Sequence, residues 1–228
     1  MADVEGLAHS SIVCPYDGPF RPGCATVDAM TSSALTLVDW RRRVSEMYAA
    51  VRDSGDPETA WSRWRLARDE LFAGHPQTPL TDDDPLRGAG LPYWPYDPAL
   101  RFDAELLPVA ETEPRLVEAG GDGTVRMDLI GRVELPVGGS LDVWWLHQYG
   151  GGIFIPLRDG TSGDGSYGGG RYLLDTAKGS WLGGTDATIT LDLNFAYHPS
   201  CRYNPRWQCP LAPPGNTISA RVEAGERL

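Results

Sequence analysis

The fold of this chain is limited most by a series of short apolar segments after residue 103, separated by glycine-rich turns. Alternating hydrophobicity over 124–137 predicts a strand with one buried face, bent at Gly131, and Gly138-Gly139 predicts a hairpin into 141–146. Further strands are predicted at 153–157, 171–174, 188–195 and 218–222. Because no helical pattern separates these segments, they favour an antiparallel β-sandwich or a barrel-like core.

Two amphipathic helices are predicted ahead of the strands. Thr36 and Asp39 have the spacing of a capping box, and apolar residues then recur at helical intervals. Asp56 and Pro57 form the N-cap and first-turn pair of a second helix, which Gly74 is expected to terminate. One face of this second helix, expected to pack on a sheet, carries Trp61, Trp64, Arg68 and Phe72.

The predicted fold class is therefore α+β and mainly β, with two N-terminal helices packed on the core. Residues 1–34 are expected to be an irregular extension, 35–75 a helical hairpin and 76–228 one β-rich domain, all in one globular unit. The composition changes before Met30, which leaves open whether the native chain begins there or at residue 1. Prolines and aromatic residues interleaved over 76–102 predict a loop pinned across a surface.

Composition excludes several classes of function. The net charge of −11 argues against nucleic-acid binding, which needs a basic face. The sequence has no apolar run of membrane-spanning length and no evident secretory signal. Four cysteines are too few for a disulfide scaffold, so we expect a cytoplasmic protein with reduced thiols. Of 20 basic residues only Lys178 is lysine, which leaves one candidate for Schiff-base chemistry.

A glycine-rich segment over 150–170 is the first candidate for a site. Gly163, Gly165 and Gly168 match a dinucleotide fingerprint in letters, but a predicted strand and not a helix follows them, so this interpretation is rejected. Arg158 and Asp159 stand at the end of the 153–157 strand, directly before the glycines. Glycines allow close backbone approach to a ligand, and an arginine fork suits carboxylate or phosphate.

A second group of polar residues lies on the 188–195 segment. Alternation places Asp192 and Asn194 on one face, where burial is costly unless they are hydrogen-bonded. These side chains line a pocket or pair with the arginines. The candidate ligand-binding residues are Arg158, Asp159, Thr161, Tyr167, Arg171, Tyr172, Asp192, Asn194 and Tyr197.

Metal binding is disfavoured by the spacing of the candidate ligands. Cys201 and Cys209 are separated by seven residues, which is not a zinc-knuckle spacing, and two cysteines do not complete a tetrahedral site. His147 and His198 are weak further candidates. A local disulfide and two packed thiols are the alternatives for the cysteine pair, and Cys14 and Cys24 form a second local pair.

Several motifs resemble a known family. They are Arg158-Asp159-x-Thr161-x-Gly163, Tyr167-Gly168-x-Gly170-Arg171-Tyr172-Leu173, Leu191-Asp192-x-Asn194-x-Ala196-Tyr197-x-Pro199-x-Cys201, Cys209-Pro210-Leu211-x-Pro213-Pro214-x-Asn216 and Ala224-Gly225-Glu226. With similarities upstream, about residues 60–226 resemble the bacterial and archaeal domain of unknown function sixteen eighty-four (DUF1684). The family has Asn, Pro and Phe where this chain has His198, Ser200 and Leu193, which weakens a catalytic role for His198. The resemblance implies no activity or cofactor, and it implies that residues 1–55 are peripheral.

Four functional hypotheses follow. The first is a protein that binds a small, anionic molecule in the Arg/Asp/Tyr/Asn pocket, with Asp159 or Asp192 available as a base if it is an enzyme. The second is a non-catalytic β module in which the same residues form a structural network. The third is a flavin-binding barrel, and the fourth is a metal or redox protein based on Cys201 and Cys209. The catalytic residues, the cofactor and the oligomeric state are open.

Overall fold

A computed structural model of the chain describes residues 27–110, 113–119, 123–147 and 149–228. Its helices are α1 (Val27–Arg52), α2 (Pro57–Gly74) and α3 (Leu86–Ala89). Its strands are β1 (Arg101–Glu105), β2 (Arg115–Glu118), β3 (Thr124–Glu134), β4 (Ser140–His147), β5 (Gly152–Leu157), β6 (Arg171–Asp175) and β7 (Thr188–Asp192). The fold is mainly β and of the α+β class, as the sequence predicts.

The strands form two antiparallel sheets. The larger sheet has the order β2-β3-β4-β5-β6 and curls into half a barrel, while β1 pairs with β7 in a two-stranded sheet. Strands of the larger sheet therefore neighbour each other in chain order, which is the arrangement that short turns without crossover helices produce. The predicted hairpin between β3 and β4 is confirmed, and both of its glycines have a positive φ.

The predicted irregularity at Gly131 is also confirmed. The register of β3 against β4 shifts between Leu129 and Gly131. A Cβ atom on Gly131 would lie 2.4 Å from Cδ1 of Leu106, so the close approach of another segment requires glycine here.

Helix α1 begins earlier than predicted. The capping box at Thr36 is wrong, because the helix starts at Val27 and continues through Thr36. Neither glycine nor proline occurs in this helix, so no residue stops it from extending to Val27. Residues 27–34, predicted to be irregular, are thus helical, and Met30 lies within α1. Residues 1–26, with Cys14 and Cys24, lie outside the described residues.

Helix α2 has the predicted start but a different end. The carboxylate of Asp56 accepts a hydrogen bond from the N–H of Glu58, and Pro57 occupies the first turn. Gly74 is the last helical residue and not a left-handed stop. His75 is extended because it precedes Pro76, and this ends the helix.

The buried face of α2 packs on aromatic residues beyond the strands and not only on a sheet. The ring centroid of Trp64 lies 4.9 Å from that of Phe195 and 5.9 Å from that of Tyr93. The aromatic loop is pinned as predicted, since Tyr93 forms a β-bridge with Glu226 and the Trp94 N–H bonds the Gly225 carbonyl.

Two strand predictions need correction. Strand β7 ends at Asp192, and a 3₁₀ turn over Leu193–Phe195 replaces the predicted extension, because the Asp192 carboxylate caps the N–H of Asn194. The segment 218–222 is not a strand. Its Ile218 N–H bonds the Arg158 carbonyl, but its Val222 N–H bonds a side chain, so no continuous ladder forms. Among the described helices, none has the length and apolarity to cross a membrane.

Candidate functional site

The nine predicted ligand-binding residues are not gathered around one pocket. Asp159, Thr161 and Arg171 form one buried group, whereas Asp192 and Asn194 form another. The remaining predicted residues are Arg158 and the three tyrosines, whose side chains share no hydrogen bond with either group. Arg158 itself is exposed, and its backbone N–H and carbonyl bond Asn216 and Ile218.

Arg171 is the centre of the first group. Its side chain is 0% exposed, and Nη2 donates to Oδ1 of Asp159 at 3.1 Å and to the Val222 carbonyl at 2.9 Å. Nη1 donates to the Ala224 carbonyl and, at 3.2 Å, to the Glu226 carbonyl. Burial lowers the pKa of this guanidinium, and Asp159 and Glu226 oppose that shift. The arginine therefore clamps the C-terminal segment onto β6.

Asp159 completes this clamp from the β5 side. Besides the Arg171 guanidinium, its carboxylate accepts the Val222 N–H at 2.7 Å and both the N–H and the hydroxyl of Thr161. The Thr161 hydroxyl lies 2.9 Å from that of Ser166, so the glycine-rich loop folds back on itself. Every carboxylate oxygen is thereby hydrogen-bonded, which is the condition for burying a charge.

The glycines of this loop serve the same close packing. Gly170 has φ +90°, and a Cβ atom there would lie 2.5 Å from the Leu157 carbonyl oxygen. Gly163 also has a positive φ, but a Cβ atom on it would meet no other atom within 4 Å. Gly170 thus lets β6 approach β5 closely, and the loop is not arranged as a phosphate cradle at the start of a helix.

Asp192 and Asn194 hold the aromatic loop in place. Oδ1 of Asp192 accepts both the backbone N–H and the side-chain amide of Asn194. The Asn194 side chain accepts the Asp97 N–H at 2.9 Å and donates to the Asp97 carbonyl at 2.8 Å, while its own backbone carbonyl accepts Nε1–H of Trp61. Burial raises the pKa of Asp192, although Asn194 and Arg101 lower it in part.

A third buried group was missed by sequence reasoning. Glu226 is fully buried, and its Oε2 accepts hydrogen bonds from Nη2 of Arg68 and the backbone N–H of His198, each at 2.9 Å. Arg68 also donates to the Tyr93 hydroxyl at 3.0 Å. Burial raises the pKa of Glu226, but Arg68 and His198 outweigh this and leave it below the ordinary value. Glu226 belongs to the motif Ala224-Gly225-Glu226, which is a signal in the sequence, but its burial and its pairing with Arg68 appear only in the tertiary structure.

His198 is a structural residue in this arrangement. Its Nε2 accepts the Tyr167 N–H at 3.1 Å, and its Nδ1 lies 3.5 Å from Oε1 of Glu226. His147, the other histidine candidate, is instead a half-exposed partner of Asp128 on β3. In the described part of the chain, no three His, Cys, Asp or Glu side chains are grouped as a metal site.

The predicted tyrosines connect the sheet to the C-terminal loop. Tyr172 donates its hydroxyl to the Pro210 carbonyl at 2.6 Å, and its backbone forms a bridge with Tyr197. The hydroxyl of Tyr167 lies 3.9 Å from Sγ of Cys201. Both Cys201 and Cys209 are free and half-buried.

The structure also has an open cleft, with a volume of about 620 Å³. It is lined by Arg132, the turn at 137–140 and residues 214, 215 and 217–220. The guanidinium of Arg132 is paired with Asp142 through Nε and Nη2. None of the nine predicted residues lines this cleft, so it is separate from the predicted site.

Comparison with known proteins identifies the family. The family model described as "Protein of unknown function (DUF1684)" matches residues 88–227. A solution NMR structure of an uncharacterised protein from Haloarcula marismortui is 34% identical, with 78% of this chain and 97% of that chain covered and a TM-score of 0.56. The chain belongs to the DUF1684 family.

The DUF1684 match confirms the resemblance found in the sequence motifs. All nine predicted ligand-binding residues lie inside the matched range, whereas residues 60–87 of the resemblance lie before it. The comparison with curated proteins found no match. The family description supplies no activity, so the geometry of the site carries the functional argument.

Proposed function

We propose that the Arg/Asp/Asn/Tyr cluster of this DUF1684 chain is the structural network of a non-catalytic β module and not a ligand pocket. The observation that carries this proposal is the complete burial of Arg171, together with the five groups that its terminal nitrogens bind. An arginine that receives an anionic ligand keeps part of its planar fork open. The Arg171 fork is filled by protein.

The position of Trp94 supports the same conclusion. The indole ring faces the Arg171 guanidinium at 5.1 Å, so the aromatic loop covers the arginine. Nε of Arg171 is buried without a hydrogen-bond partner among the described residues, and the ring provides the favourable contact available there. To bind Arg171, an anion would have to displace the backbone carbonyls and the Asp159 carboxylate that already bind the guanidinium.

The network joins segments that are distant in sequence. Asp159 and Arg171 attach residues 222–226 to the sheet, Asn194 attaches the aromatic loop, and Glu226 attaches α2 through Arg68. Such hydrogen-bonded and ion-paired polar clusters fix one arrangement of a core, because other arrangements leave buried charges unpaired. The network thus makes the β core, α2 and the C-terminal segment one packed unit within Thr36–Leu228.

Thermal denaturation with added small anions tests this proposal. We expect phosphate, acetate and succinate to leave the unfolding temperature unchanged relative to chloride at equal ionic strength. Arg171→Lys and the matched surface variant Arg158→Lys serve as the pair for comparison. A saturable rise in unfolding temperature that Arg158→Lys keeps and Arg171→Lys loses would show that the cluster is a binding site and overturn the proposal.

A further inference from the structure

Two buried polar side chains at the end of β6 lie outside the structural network. Asp175 is 2% exposed and Ser180 is 1% exposed. Neither Oδ1 of Asp175 nor Oγ of Ser180 has a hydrogen-bond partner among the described residues. Because a buried polar atom without a partner is costly, these two oxygens indicate that something other than the described chain binds them.

The orientation of the Asp175 carboxylate supports the same inference. Asp175 is the N-cap of the 3₁₀ turn Thr176–Lys178, yet its carboxylate accepts no hydrogen bond from that turn. The aspartates at three other N-caps, Asp56, Asp97 and Asp192, each accept a backbone N–H. An N-cap aspartate ordinarily satisfies a free N–H of the first turn, so the Asp175 carboxylate is turned toward a different partner.

The backbone places the two unpartnered oxygens on one face of the chain. Asp175 and Ser180 form an antiparallel β-bridge, in which the Ser180 N–H donates to the Asp175 carbonyl at 3.0 Å. Residues directly opposite each other in an antiparallel pair have side chains on the same face, with Cβ atoms about 4.5–5.5 Å apart. The two side chains do not bond each other, but one small molecule placed between them can reach both.

The packing of the turn limits the size of this molecule. Gly179 lies between Lys178 and Ser180 and packs directly on α1. A Cβ atom on Gly179 would lie 2.6 Å from Oγ and 3.3 Å from Cα of Ser45. Because the two oxygens are buried in a turn that is packed this closely, their partner has a few atoms at most.

The chemistry of the two oxygens favours water. A carboxylate oxygen only accepts hydrogen bonds, whereas a serine hydroxyl both donates and accepts, and water can bond both at once. A metal ion is disfavoured because Nζ of Lys178 already lies 3.4 Å from Oδ2 of Asp175 and offsets its charge. The described residues also group no three His, Cys, Asp or Glu side chains as ligands.

We propose that a long-lived water molecule binds between Oδ1 of Asp175 and Oγ of Ser180 as a structural ligand of this protein. The water donates to the carboxylate and bonds the hydroxyl, which satisfies both buried oxygens. It thereby completes the turn whose Gly179 packs on Ser45 of α1. Since α1 lies outside residues 88–227, the water site stabilises the contact between the family domain and an element that the family model does not include.

A crystal structure of the full chain, at a resolution that shows ordered water, tests this proposal. We expect a water oxygen about 2.5–3.0 Å from both Oδ1 of Asp175 and Oγ of Ser180. Crystals grown in rubidium chloride distinguish water from a monovalent cation by the anomalous scattering of rubidium. A direct hydrogen bond between the two side chains, no density between them, or rubidium at this position would overturn the proposal.

Oxygen-17 magnetic relaxation dispersion, which counts long-lived internal waters, tests the proposal in solution. Ser180→Val replaces the hydroxyl by methyl groups and should contain one long-lived water fewer than wild type. The control Ser219→Val changes an exposed serine and should keep the wild-type number. An unchanged number in Ser180→Val, or an equal loss in Ser219→Val, would contradict the proposal. The crystal experiment needs only wild type, so it decides the question even if Ser180→Val does not fold.

Discussion

Replacing Arg171 by lysine perturbs the structural network at its centre while retaining the positive charge. The arginine reaches Asp159, Val222, Ala224 and Glu226 through two nitrogens at the end of a planar fork. A single ammonium nitrogen cannot occupy both positions, so it leaves part of this set unbonded in a fully buried site. Each carbonyl or carboxylate left without a donor costs about 1–3 kcal/mol.

From these contacts we expect Arg171→Lys to lower the free energy of unfolding by about 3 kcal/mol, which corresponds to two backbone carbonyls left unbonded. Arg171→Ala leaves the Asp159 charge unpaired as well, a change that costs about 3–5 kcal/mol by itself. The sum, about 6–8 kcal/mol, is a large part of the stability of a typical domain, roughly 5–15 kcal/mol, so the alanine variant should be strongly destabilised.

Urea titration followed by tryptophan fluorescence and far-UV circular dichroism measures these differences. The matched control is Arg158→Lys, which changes an exposed arginine at the end of the neighbouring strand β5 and should stay within about 0.5 kcal/mol of wild type. If Arg171→Lys were as stable as Arg158→Lys, the contacts of Arg171 would not stabilise the fold and the reasoning would be refuted.

Four other variants test the remaining parts of the network. Glu226→Gln leaves Arg68 without its charge partner and should cost about 3 kcal/mol at neutral pH. Because the pKa of Glu226 is lowered, this cost should shrink as the pH falls below the ordinary carboxyl range. Urea titrations at several acidic pH values measure it. A difference in the free energy of unfolding between wild type and Glu226→Gln that does not change with pH would show that the ion pair is unimportant. The pKa of Asp192 is raised, so wild type should lose stability relative to Asp192→Asn as the pH rises from acidic to neutral. The opposite trend would contradict the conclusion that burial disfavours the charged form of Asp192. Gly170→Ala should be more destabilising than Gly163→Ala, since both have a positive φ but only Gly170 faces a carbonyl at contact distance, and equal thermal shifts would disprove the clash.

Much of the β architecture could be predicted because its signals are local. The alternation in β3, the bend at Gly131 and the Gly138-Gly139 turn each occupy a few consecutive residues, and all three appear as expected. The start of α1 could not be placed in the same way, because a serine- and threonine-rich stretch is compatible with both a cap and a helix interior. The lack of a helix-breaking residue decides this case.

The sequence indicated several residues of the buried polar network but not how they are arranged. Asp159 and Arg171 are adjacent, as the sequence motifs indicate, but Arg158 is exposed although it belongs to the same dipeptide. The partners that decide the role of Arg171 are the backbone carbonyls of Val222, Ala224 and Glu226. Every residue has a backbone carbonyl, so the sequence does not indicate which ones bind an arginine. For this reason a ligand pocket and a structural network could not be separated before the structure.

Exchange of the guanidinium protons of Arg171 with water tests the central claim most directly. Nitrogen-15 NMR of the intact chain resolves terminal guanidinium protons when they are buried and hydrogen-bonded, and Arg158 provides an exposed comparison in the same spectrum. We predict that the Nη protons of Arg171 exchange far more slowly than those of Arg158 and that added phosphate leaves them unchanged. Exchange of Arg171 as fast as that of Arg158, or a phosphate-dependent shift of its signals, would show an open site and contradict the structural network.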